Sequence, residues 1–77
     1  MNQKQLQKIR EEFKGDPYID WIEPAGMIRG FIIKVGYLTS KIIKKADRLG
    51  YHLRHASVYT LDKDYLIAAF EPKEIEA

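Results

Sequence analysis

The chain has 77 residues, room for one domain, and its 45% hydrophobic and 31% charged residues exclude a disordered polymer. It has no cysteine, which excludes disulfides, thiolate metal sites and cysteine nucleophiles and fits a reducing compartment. A net charge of +2 is no electrostatic case for nucleic acid by itself, so the arrangement of the charges has to carry any such reading.

The polar start Met1-Asn2-Gln3-Lys4-Gln5 lacks the apolar stretch of a secretory leader. No apolar run approaches the roughly 20 residues of a membrane span, so the expected setting is cytoplasmic, without membrane contact. Leu6, Ile9 and Phe13, at i, i+3 and i+7, predict a first helix over Lys4–Lys14. Gly15-Asp16-Pro17 ends it. Alternation then predicts a strand over Tyr18–Glu23, a turn at Glu23-Pro24-Ala25-Gly26, and the longest strand over Met27–Val35. Gly36 breaks that strand, and Thr39 or Ser40 is positioned to cap a second helix over Thr39–Leu49. Leu38, Ile42, Ala46 and Leu49 line one side of this helix, with Ile43 beside them. Gly50 follows as a cap, then strands over Tyr51–Tyr59 and Tyr65–Phe70, separated by the polar turn Leu61-Asp62-Lys63-Asp64. Residues 71–77 read as an acidic tail on a domain spanning 1–70.

The order is thus αββ twice, a pseudo-repeat over 4–35 and 39–70. It predicts an α+β two-layer sandwich: a four-stranded antiparallel sheet with both helices on one face. Element order alone matches a ferredoxin-like fold whose first strand has been moved to the end.

Such a sheet has one face left for water, a ligand or a partner. Lys34 assigns Ile28, Gly30 and Ile32 to that open face, and Asp20 assigns Tyr18 and Ile22 to it. In the last strand both Tyr65, Ile67, Ala69 and Leu66, Ala68, Phe70 are apolar, which predicts cover on both sides. A homodimer packed sheet to sheet through Tyr18, Ile22, Ile28, Ile32 and Lys34 is the simplest cover.

No residue pattern supports catalysis or a resident cofactor. His52 and His55 lie three apart, so in a regular strand they point to opposite faces and cannot share a metal. Asp16, Asp62 and Asp64 stand in turns, where Asp hydrogen-bonds locally. Gly26, Gly30, Gly36 and Gly50 do not have phosphate-loop spacing. Arg29-Gly30-Phe31 copies the basic–Gly–aromatic opening of the RNA-recognition-motif signature. Ile32 and Ile33 then depart from that pattern, and the family's first element is a strand, so the family is not assigned.

Two electrostatic arrangements stay open. Tyr18, Tyr51 or Tyr59 with Lys34 and Arg54 could stack and neutralise a single strand on the open sheet. Lys41, Lys44, Lys45 and Arg48, at i, i+3, i+4 and i+7, form one cationic stripe suited to a phosphate backbone. The expectation is a non-enzymatic binding module, a homodimer holding DNA or RNA through that stripe. The alternatives are a protein–protein interaction or regulatory module that uses the apolar sheet face, and a small-ligand sensor domain.

Overall fold

The computed structural model of the chain describes residues 2–26, 29–60 and 64–73. Its elements are α1 (Gln3–Glu12), β1 (Ile19–Ala25), β2 (Gly30–Val35), α2 (Ser40–Arg48), β3 (Tyr51–Thr60) and β4 (Asp64–Pro72). α1 begins with a reciprocal cap. The Asn2 side chain accepts from the Gln5 N–H at 2.8 Å, and the Asn2 N–H donates to the Gln5 side chain at 3.0 Å. α2 begins at Thr39, whose hydroxyl accepts from the Ile42 N–H at 3.2 Å. Gly50, at φ +94°, turns the chain from α2 directly into β3 in a conformation that side-chain-bearing residues resist.

α1 ends at Glu12 with Phe13 as its cap, two residues short of the expected Lys14, and other ends move by one residue. Three larger differences concern the sheet. Pro24 and Ala25 stay in β1, paired with Phe31 and Gly30, and the turn comes later, with the Arg29 N–H donating to the Gly26 carbonyl at 3.3 Å. A proline is tolerated there because β1 is an edge strand. β2 therefore has six residues, and β3, with ten, is the longest strand. β4 runs on through Glu71 and Pro72 instead of stopping at Phe70, and the Lys73 N–H donates to the Gly50 carbonyl at 2.9 Å.

The four strands lie in the order β1-β2-β4-β3, each antiparallel to its neighbours. β1–β2 and β3–β4 are local pairs, whereas the central β2–β4 seam joins the two halves of the chain. β2 and β3 both oppose β4, so they run parallel to each other, and α2 makes the crossover between them. Cross-strand register aligns Ile22, Ile33 and Ala68 in one row and Phe31, Phe70 and Leu53 in the next. On this face Leu6, Ile9 and Phe13 from α1 and Ile42 and Ala46 from α2 complete one core. The Phe31 and Phe70 rings stack at 5.1 Å, and Tyr51 meets Phe31 edge-on at 5.1 Å.

A bulge corrects the expected faces of β1. Ile19 pairs with Val35 but Trp21 pairs with Lys34, so Asp20 is an extra residue and the alternation shifts after it. Ile22, expected on the open face, is instead a core residue beneath the helices, and Trp21 takes the open face. Ile28 lies outside the described residues.

The two sheet edges are unlike. The Arg10 guanidinium donates to the Ile22 carbonyl of β1 at 2.8 Å and pairs with Glu23 at 3.2 Å, so side chain and Pro24 together blunt that edge. The outer edge of β3 carries a bulge at Arg54 but, among the described residues, no backbone partner along His55–Thr60.

Gly30 is where the seam is tightest: a Cβ built there would lie 1.8 Å from the Phe70 carbonyl oxygen, whereas one at Gly36 meets nothing within 4 Å. Gly30→Ala is expected to destabilise the domain by about 2 kcal/mol or more, and Gly36→Ala by less than about 0.5 kcal/mol. Urea unfolding of the two variants, read by Trp21 fluorescence, checks the contrast.

Candidate nucleic-acid interface

The charges of the open sheet face are matched. Lys34 lies 3.8 Å from Asp20 and 4.5 Å from the centre of the Tyr65 ring. Glu71 is held by Arg54 at 3.0 Å and by His52 at 3.0 Å. Ile32, Ile67 and Ala69 between them are half-buried, and Trp21 is 37% exposed. The single-strand platform anticipated on this face is not assembled. Tyr51 is drawn into the core against Phe31, Arg54 and Lys34 are engaged with carboxylates, and the Tyr59 side chain lies outside the described residues.

The bulge between Leu53 and His55 also changes the histidines. His52 pairs with Glu71 and His55 with Ala69, so both stand on the open face, where a regular strand would have separated them. They remain apart in function: His52 bonds Glu71, and His55 bonds the Ser57 hydroxyl. Among the described residues no group of three or more His, Cys, Asp or Glu side chains is placed to hold a metal.

α2 differs from the sheet. Its nine residues hold four cations and one carboxylate, more net positive charge than the +2 of the whole chain. That carboxylate, Asp47, is bound by Lys73. Lys41, Lys44 and Arg48 are exposed, line one shallow trough, and among the described residues face no carboxylate at ion-pair distance. Lys41 occupies the first turn, where the positive end of the helix dipole disfavours a cation by a few tenths of a kcal/mol and no acidic residue compensates. The stripe is not uniform, however. Lys45 turns inward, donates to the Glu12 carbonyl at the end of α1 at 2.9 Å, and lies 5.9 Å from the Phe13 ring centre. It fastens one helix to the other, which leaves three cations for a ligand.

Beside the stripe lies a groove that sequence reasoning did not anticipate. Lys14, Tyr18, Lys41 and Lys45 line it, together with Asp16, whose carboxylate accepts from the Tyr18 N–H at 2.9 Å. Tyr18 thus belongs to the helix side of the molecule's end, next to the cations, and its ring meets that of Tyr37 edge-on at 5.3 Å. The only hint in the sequence was the position of Tyr37, two residues before the Thr39 cap.

Comparison of the chain with protein-family models, curated proteins and solved structures finds no match. Among the described residues no helix is long and apolar enough to cross a membrane.

Two expectations follow from these geometries. The Glu71 carboxyl is held below the ordinary glutamate range, chiefly by the hydrogen bond from Arg54, with His52 adding to the effect and partial desolvation opposing it. A depressed folded value means that its stabilisation is present at neutral pH and is lost as pH falls below that range. An NMR titration should place the Glu71 midpoint below that of an unperturbed glutamate, and Arg54→Ala should raise it. Lys45→Ala should cost about 1 kcal/mol in unfolding experiments through the lost tie to α1, whereas Lys44→Ala should be neutral within about 0.5 kcal/mol.

Proposed function

We propose that the protein is a small non-enzymatic module that binds nucleic acid through Lys41, Lys44 and Arg48 of α2, and that it works as a cytoplasmic homodimer. The observation that supports this best is the contrast between the two faces. Among the described residues, each carboxylate of the open sheet has a cation beside it, while Lys41, Lys44 and Arg48 of α2 make no ion pair, since Asp47 in the same trough is taken by Lys73. A helix that holds a cation in its first turn without acidic compensation forgoes local stability, which is understandable if the charge serves a ligand. The cations recur at i, i+3 and i+7, about 10 Å along the helix axis, a span over which a phosphate backbone presents more than one charge.

The dimer would pack open face to open face, covering Trp21, Ile32, Ile67 and Ala69. At about 25 cal/mol per Å2 of apolar area, such burial would add materially to a domain of this size. It would also present two α2 stripes, one from each copy, and so gain avidity on a long polymer. The fold is read as ferredoxin-like in a permuted order. Placing β4 ahead of α1 would convert αββαββ into βαββαβ, and the strand order β1-β2-β4-β3 retains both split β-α-β units.

Salt titration of binding to random-sequence oligonucleotides tests the reading. Three phosphate contacts predict a log–log slope of about −2 to −3 per protomer. Lys44→Glu with Arg48→Glu should abolish binding at low salt without unfolding the domain. Ile32→Asp separates the two surfaces: a stable monomer that still binds nucleic acid supports the dimer face. A variant that keeps its oligomeric state but loses a pulled-down protein partner argues that the sheet serves that partner instead.

A further inference from the structure

Resting on the nucleic-acid reading, we infer that the ligand is single-stranded, and that Tyr37, braced by Tyr18, is the surface on which a base stacks. Tyr37 is 68% exposed and Tyr18 43%, two of the four large hydrophobic side chains exposed among the described residues. Neither belongs to the core. Tyr18 is anchored through its backbone: its N–H donates to Asp16 at 2.9 Å, and its carbonyl accepts from the Gly36 N–H at 2.9 Å. Its ring then contacts Tyr37 edge-on at 5.3 Å and leaves most of the Tyr37 surface to solvent.

The position of this pair makes it more than a surface aromatic contact. Tyr18 lines the groove that also takes Lys14 and Lys41, and Lys41 is the first cation of the α2 stripe. An aromatic surface therefore lies at the head of a row of unpaired cations. Asp16 is in the same groove, with its carboxylate turned to the Tyr18 N–H. A duplex keeps its base faces stacked on one another and has no partner for an exposed ring. A single strand has unstacked bases, and an aromatic ring beside a cationic track meets both parts of each nucleotide.

The test compares fluorescein-labelled dT12 and rU12 with a 12-base-pair duplex by anisotropy at low salt. The wild-type protein should bind a single strand at least about tenfold more tightly than the duplex. Tyr37→Ala should weaken single-strand binding by between about fivefold and a hundredfold and leave the duplex unchanged, while Tyr37→Phe keeps wild-type affinity. Thermal unfolding should match the wild type for both variants, because the ring is outside the core. Equal affinity for duplex and single strand, or full affinity in Tyr37→Ala, overturns the inference. If that occurs while Lys44→Glu with Arg48→Glu still abolishes binding, phosphate contact at α2 stands and only the stacking role falls. No binding to any of the three probes overturns both.

Discussion

The seam between β2 and β4 is the contact on which the rest of the structure depends. Among the described residues it is the only strand pairing that joins one αββ half to the other, with Ile33 opposite Ala68 at its centre and the stacked Phe31 and Phe70 rings at one end. Neither half has enough apolar surface to stand alone: α1 contributes only Leu6, Ile9 and Phe13 to the core, and α2 fully buries only Ile42 and Ala46. Stability therefore arrives when the halves meet, through contacts distant in sequence, and loop closure has to precede the gain. The seam also dictates where α2 goes. Because β4 separates β2 from β3, the helix has to cross over the sheet, with its apolar side on the core and its lysines toward water.

Charge is distributed along the same division. On the sheet, where strands crowd side chains together, opposite charges sit side by side. On α2 the apolar stripe is complete with Leu38, Ile42, Ala46 and Leu49, so the outward positions are free of any packing duty. Lys45 is the exception, because it lies on the flank nearest α1 and donates to the Glu12 carbonyl at that helix's end. A stripe that looks uniform on a helical wheel is thus split by its neighbour into one fastening residue and three available ones.

Periodicity was a good guide wherever the backbone is regular. The helices, the caps at Thr39 and Gly50, and the core residues of β2 follow from spacing, whereas β4, apolar on both faces, does not show by spacing that Ala68 and Phe70 are its core side. It failed where one extra residue shifts the alternation. Asp20 reverses Trp21 and Ile22, and Arg54 brings His52 and His55 to one face, because a bulge changes parity without any distinctive residue to announce it. Spatial neighbours distant in sequence were the other blind spot. Nothing in the order of residues places Lys14 near Lys41, or Tyr18 against Tyr37. Tyr51, equivalent to Tyr18 in the doubled pattern, went inward, where its ring meets Phe31 of the first half.

The unequal sheet edges have a consequence for how copies of this chain can associate. Arg10 and Pro24 blunt the β1 side, while the outward amide and carbonyl groups of His55–Thr60 in β3 have no backbone partner among the described residues. A strand added to the sheet would therefore be added at β3. Two copies joined β3 to β3 would turn only β1 edges outward, so growth would halt at a symmetric pair. In that arrangement a single arginine and a proline at the β1 edge would limit edge-to-edge growth of a half-apolar sheet.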